Sequence, residues 1–241
     1  TLANDLVVFD KNTLAHIPWT HTEIHGAYIK ALAGNSSTLF VGGACSVTDG
    51  FTDVDYLFEL DTLSGNFTPF NLNLDGQVKQ LQLSNDSLFV RGDFNFYGST
   101  TKDYFLIANA SNGSVHPFDL QITNMDEITN MSVYQNRLYV AGDFQSILGT
   151  PQPYFAEVDL STSTLTSFDG GFDNLVYTSA VLAPGKIFVG GRYREHNGLI
   201  PRNNIAQYEL VNNQLTSWDP QFSRFSFPDA LCGMNGNLYM G

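Results

Sequence analysis

One short run of residues, met five times, sets the terms for this chain. Leu39-Phe40-Val41-Gly42-Gly43 returns as Leu88-Phe89-Val90-Arg91-Gly92, as Leu138-Tyr139-Val140-Ala141-Gly142 and as Ile187-Phe188-Val189-Gly190-Gly191. It comes back once more as Leu238-Tyr239-Met240-Gly241, the successive spacings being 49, 50, 49 and 51 residues. An aromatic column keeps the same beat through Trp19, Phe70, Phe118, Phe168 and Trp218. So does a polar column of Asp10, Asp61, Asn109, Asp159 and Glu209. Three independent columns on one period mean that a single supersecondary unit is repeated along the chain.

Each period carries four strand-like runs, which in one repeat are 77–83, 88–92, 105–108 and 114–118, labelled A to D. Short Asn/Asp/Ser turns join A to B and C to D, as in hairpins, while longer segments join B to C. Four strands in about 50 residues, repeated, define the blades of a β-propeller. A lone blade cannot bury its faces, so blades pack on neighbours and the ring closes. The chain opens with a C strand (6–9) and a D strand (17–19) and finishes with an A strand (229–233) and a B strand (238–241). Both ends together make one blade, which removes open sheet edges. The expected fold is all-β: a five-bladed β-propeller of four-stranded blades, one domain over 1–241, with repeats at 5–56, 57–104, 105–154, 155–204 and 205–241. Part of a larger propeller is the alternative.

The fourth repeat also resembles a known family. Ile187-Phe188-Val189-Gly190-Gly191, then Gly198, Pro201-Arg202-Asn203-Asn204-Ile205-Ala206 and Leu215-Thr216-Ser217-Trp218-Asp219-Pro220, is similar to the delta-60-type β-propeller repeat of bacterial surface proteins. It is similar as well to the ectodomain repeats of fungal cortical-marker glycoproteins used in bud-site selection. The other repeats share the glycine-containing B strand and the aromatic D strand but lack the Arg-Asn step. The resemblance implies the propeller and a cell-surface setting. It brings no catalytic residues.

Composition narrows the function classes. A net charge of −13, from 24 acidic and 11 basic residues, opposes binding to a polyanion, so nucleic acid is excluded as a partner. No apolar run is long enough to span a bilayer, which argues against direct membrane insertion. Only 15% of residues are charged, and no Ala/Glu/Lys/Leu-rich window at helical spacing occurs, so almost no helix is expected.

Antiparallel strand order puts the A–B and C–D turns on one face of the disc and the B–C and D–A connections on the other. Six Asn-x-Ser/Thr sequons occur. Asn35 and Asn85 lie in A–B turns, Asn66 and Asn112 in C–D turns, and these four are the glycosylation candidates. Asn109 fills the turn-capping column and Asn130 an inner strand, which makes both poor acceptors. Cys45 follows a B strand in the column of Phe94, Phe144 and Tyr193, whereas Cys232 lies toward the opposite face. Two buried thiols, not a disulfide, are expected.

Three groups carry possible chemistry. His21, Glu23 and His25, if extended, put two imidazoles and a carboxylate on one side, a possible metal set whose plain alternative is an unliganded polar loop. Arg192, Arg194, His196 and Arg202 concentrate positive charge in one B–C connection and are the partner-binding candidates; the plain alternative is a solvated loop with Arg202 holding local structure. Glu23 and Glu127, in D–A connections, are the only glutamates placed to serve a glycosidase, and they carry no motif. No cofactor is implied.

The sequence therefore reads as a non-enzymatic module, extracellular or at the cell surface. Adhesion, assembly or ligand binding would use the face with long B–C and D–A loops. Partners would be proteins or glycans at the surface, copies of itself, or the rest of a larger chain. The alternative is a lectin-like carbohydrate-binding module or a glycosidase acting at the channel mouth.

Overall fold

In the computed structural model the described residues are 6–18, 24–48, 53–102, 104–122, 127–168, 170–182, 185–223 and 225–241. They contain strands and turns and no helix. The chain divides into two compact units, Thr1–Asp119 and Leu120–Gly241.

The first unit opens with a two-stranded hairpin, β1 (Val8–Phe9) and β2 (His16–Ile17). A three-stranded antiparallel sheet follows: β3 (Ile24–Gly34), β4 (Thr38–Thr48) and β5 (Asp53–Asp61), in that order. The next blade pairs β6 (Val78–Ser84), β7 (Ser87–Gly92) and β10 (Phe105–Asn109). Between β7 and β10 stands a small hairpin, β8 (Phe96–Tyr97) and β9 (Thr100–Thr101). The inner strands β3 and β6 pack side by side. Phe40, Leu57, Phe70, Leu72, Val78 and Phe94 fill the core around them.

The second unit repeats the plan in full. Strands β11 (Glu127–Tyr134), β12 (Arg137–Asp143), β15 (Phe155–Asp159) and β16 (Thr164–Leu165) form one four-stranded sheet, with the hairpin β13 (Ser146–Ile147) and β14 (Thr150–Pro151) inserted. Strands β17 (Val176–Leu182), β18 (Lys186–Gly191), β21 (Ile205–Glu209) and β22 (Gln214–Leu215) form the other, with β19 (Glu195–His196) and β20 (Ile200–Pro201) inserted. The hairpin of β23 (Leu231–Met234) and β24 (Asn237–Met240) closes the chain and packs on β17. Tyr139, Phe155, Phe168, Phe172, Tyr193 and Tyr208 lie at the centre of this unit's core.

The repeated glycine has a steric cause. The A strands β3, β6, β11 and β17 each carry a register shift, at Ile29/Ala31, Val78/Gln80, Ile128/Asn130 and Val176/Thr178. Opposite each shift stands Gly43, Gly92, Gly142 or Gly191. A Cβ there would collide with the carbonyl oxygen of Tyr28, Gln77, Glu127 or Leu175 respectively. The bulge bends the inner strand, and only glycine lets the B strand follow it.

A second backbone column is strained. Tyr56, Tyr104, Tyr154 and Asn204, each at the start of a C strand or in the residues leading into it, have φ of 65°, 63°, 67° and 68°. Bulky residues visit this left-handed region rarely.

Two expectations change. The D strands are shorter than the sequence indicated: β16 and β22 have two residues each, and Leu60–Phe67 and Ala108–Val115 are single bridges. Cys45 is a buried thiol as expected, but Cys232 is exposed. The cause is its place on the terminal hairpin, where β24 has β23 as its one strand neighbour among the described residues and no C strand covers it.

Candidate functional site

The B–C connections are not loose loops. Each small hairpin turns one side chain inward, Tyr97, Ile147 or His196, against the segment that follows the preceding D strand. Its tip is pinned there by a backbone hydrogen bond. Gly98 N donates to Asn73 O (3.0 Å), Leu148 N to Leu120 O (2.8 Å) and Asn197 N to Gly171 O (2.7 Å). A carboxylate holds the approach in two blades. Asp75 Oδ1 accepts from Asn95 N and Phe96 N at 2.8 and 2.9 Å. Asp173 Oδ1 accepts from Arg194 N and Glu195 N at 2.8 and 3.2 Å. Each staple gives its own B–C connection a defined shape.

Against this frame the four basic candidates separate. His196 is buried: its Nδ1–H donates to Gly170 O at 2.8 Å, and the Tyr208 hydroxyl lies 3.0 Å from the same nitrogen. Its Nε2 faces Asn197 Nδ2 at 3.2 Å, so both ring nitrogens have a partner. Arg202 is also withdrawn. Its Nη1 donates to Pro201 O and its Nη2 to Thr216 O, both at 2.8 Å, with Asp219 at 3.9 Å. The expectation that both residues add charge to the loop surface is corrected; the hairpin's inward position and the D-segment carbonyls claim them. Arg192 and Arg194 remain exposed on either side of the buried Tyr193, so both point to the same side of an extended stretch. Arg192 lies over the Phe227 ring, 5.9 Å from its centroid.

Arg202 belongs to a column that residue identity conceals. Lys102, Gln152 and Arg202 are 50 residues apart. Lys102 Nζ donates to Phe118 O (2.7 Å) and Pro117 O (3.1 Å) and pairs with Asp119 at 3.6 Å. Gln152 Nε2 donates to Phe155 O (3.1 Å) and Phe168 O (3.4 Å). The short D strands leave carbonyls without a ladder, and a long side chain from the same blade satisfies them.

The four sequon asparagines Asn35, Asn66, Asn85 and Asn112 are all in turns on the outside of the blades, where their side chains meet solvent or the turn backbone. Asn35 Oδ1 accepts from Ser37 N and Thr38 N at 2.9 and 3.0 Å, and Asn112 Oδ1 from Ser114 N at 2.9 Å. Thr68, the third residue of the Asn66 sequon, donates its hydroxyl to Glu59. Asn109 Oδ1 caps Ser111 N and Asn112 N, and Asn130 Oδ1 accepts from Ser179 N, as their columns imply. Of the metal set, His21 and Glu23 lie outside the described residues, and so does the His25 side chain. Among the described residues no three His, Cys, Asp or Glu side chains gather as metal ligands. Glu127 is exposed at the start of β11.

These features define an all-β protein of propeller-like blade repeats with stapled B–C connections. No protein-family model matches the chain, and no curated protein sequence matches it. Two crystal structures of the extracellular domain of BT4673 from B. thetaiotaomicron are similar in fold, with TM-scores of 0.62 and 0.63 at 12% identity. The similarity covers 98% of this chain but 29% and 28% of those chains, so this chain spans less than a third of their length. The computationally designed Ika8 protein is similar at a TM-score of 0.56 and 12% identity, over 98% of this chain and 74% of that one. No helix is long and apolar enough to cross a membrane.

Proposed function

We propose that the chain is a non-enzymatic recognition module of an extracellular or surface-displayed glycoprotein, built as a five-bladed ring of delta-60-type repeats. In this reading β1 and β2 supply the C and D strands of the blade whose A and B strands are β23 and β24. The long-loop face meets the partner, and the opposite turn face, with Asn35, Asn66, Asn85 and Asn112, carries glycans. The observation that carries the reading is the pair Arg192 and Arg194. Exposed on a stapled loop of a molecule with a net charge of −13, they offer guanidinium forks suited to a carboxylate-bearing protein or glycan.

Binding to an array of neutral and acidic glycans, together with self-association measured by sedimentation, tests this. Changing Arg192→Ala and Arg194→Ala together should abolish whichever binding is found, while Leu63→Ser on the turn face leaves it intact. Binding that survives the double change and is lost in the Leu63 variant would sink the assignment of faces.

A further inference from the structure

The B–C connection of the fourth repeat departs from its two sisters at exposed positions. The hairpin ladders match: Tyr97 pairs with Thr100, Ile147 with Thr150 and His196 with Ile200. The tips between them differ. Gly98-Ser99 and Leu148-Gly149 have two residues, whereas Asn197-Gly198-Leu199 has three. The added residue is Leu199, 85% exposed on a tip that the Asn197 amide pins to Gly171 O at 2.7 Å. Beside it Ile200, 41% exposed, stands where Thr100 and Thr150 do. Counted from the B-strand glycine, Arg192 stands where Asp93 and Asp143 do, and Arg194 where Asn95 and Gln145 do. Each change adds apolar surface or positive charge, while the buried column of Phe94, Phe144 and Tyr193 keeps its aromatic ring. Glu195 is the one acid within 191–202.

The neighbouring blade of the same unit carries the opposite charge. Thr129 Oγ1 donates to Val176 O at 2.8 Å and ties β11 to β17, where Ile128 faces Gly142 and Val176 faces Gly191. Asp143 and Arg192 each follow one of those glycines, so they stand at the same end of two sheets joined there. Asp143 is exposed, and so is Glu127, which lies opposite it in the ladder. An acidic corner therefore adjoins a basic one that bears an aliphatic tip.

We propose that this end of the second unit is the interface between two copies of the chain related by a two-fold axis. Arg192 and Arg194 of each copy meet Glu127 and Asp143 of the other, and the Leu199 and Ile200 tips are buried together. With Arg192 and Arg194 as the binding pair proposed above, this names the partner as the chain itself. A two-fold contact is self-complementary, so adjoining patches of opposite sign on one surface are matched twice over. Aliphatic side chains suit the core of a protein interface and offer a sugar ring no aromatic face. At physiological salt the Debye length is about 8 Å, so the remaining acids of a chain with net charge −13 are screened far more than the facing pairs.

The test is sedimentation equilibrium of the parent chain and of two charge reversals. One carries Arg192→Glu with Arg194→Glu, the other Glu127→Arg with Asp143→Arg. The parent should dimerise. Each reversal alone should be monomeric, because like charges then face each other. An equimolar mixture should form a heterodimer, because both contacts again pair opposite signs; its formation also shows that both variants fold. Leu199→Ser should weaken the parent dimer at least about tenfold. A dimer that survives either reversal would overturn the proposal, as would a mixture that stays monomeric although both variants keep the parental melting curve. A monomeric parent that still binds an acidic glycan through Arg192 and Arg194 would overturn it too, while leaving that pair as the binding site.

Discussion

Lys102 Nζ sits 2.7 Å from the carbonyl oxygen of Phe118, and it is buried there with 6% exposure. A cation takes the place of a missing strand neighbour. Replacing it with methionine keeps the packing of the stem but leaves two carbonyl oxygens, Pro117 O and Phe118 O, without this donor. Lys102→Met should cost about 2–3 kcal/mol in urea denaturation. Lys102→Gln, which imports the solution used at Gln152, should cost less than half as much. Equal losses would show that the charge and not the donor matters.

Gly142 faces the Glu127 carbonyl so closely that no Cβ fits. Gly142→Ala should destabilise by about 3 kcal/mol, as overpacking against a backbone that cannot yield does. Ala141→Gly, one residue earlier in the same strand, should cost about 1–2 kcal/mol, the conformational penalty plus the loss of one buried methyl. Denaturant midpoints of the two variants give the comparison.

Acid should act on the C–D turns. Backbone and hydroxyl hydrogen bonds from Thr13 hold the Asp10 carboxyl below its ordinary value of 3.8, and the Asn12 amide adds to this. The Ser64 hydroxyl and amide do the same for Asp61, and those of Ser161 for Asp159. A lowered folded value means that the stabilisation is complete above 3.8 and is lost as pH falls below it through the folded value. Glu157 runs the other way. Burial pushes its carboxyl above 4.5 despite the Arg137 guanidinium at 3.4 Å. It therefore costs stability as pH rises above 4.5, and protonation relieves that cost. Glu157→Gln, which copies Gln207 of the next repeat, should flatten the stability profile above pH 4.5 and leave the acid limb in place. Urea midpoints measured across both limbs, from strong acid to neutrality, give the answer; an unchanged upper limb would refute the role given to Glu157.

Cys232 is exposed and Cys45 is 4% exposed. Brief alkylation of the native protein should therefore label Cys232 and spare Cys45, read by peptide mass. Labelling of Cys45 first would contradict the placement of its column.

The period is legible in the sequence because its steric and packing causes act through residue identity: glycine beneath the bulge, an aromatic in the D segment, a short acceptor at the C–D turn. The column of Lys102, Gln152 and Arg202 is not, because the requirement there is for a long donor, which three different residue types meet. Aligning the repeats by position exposes it. His196 is concealed for the same reason: in its column stand Tyr97 and Ile147, which signal an inward position, yet its neighbours Arg192 and Arg194 suggest a charged surface. The exposure of Cys232 depends on what lies beside β24, which no local pattern in the chain encodes.

The proposed ring makes a claim about register that can be measured. By analogy with β12 and β15, where Tyr139 faces Glu157, closure would set Tyr239 opposite Val8. With Cys45→Ser and Cys232→Ser removing the native thiols, Val8→Cys combined with Tyr239→Cys should form an intramolecular disulfide under mild oxidation, while Leu6→Cys with Tyr239→Cys should not. A monomeric cross-linked product confined to the first pair is the result that ring closure requires. Cross-linking of neither pair, or of both equally, would contradict it.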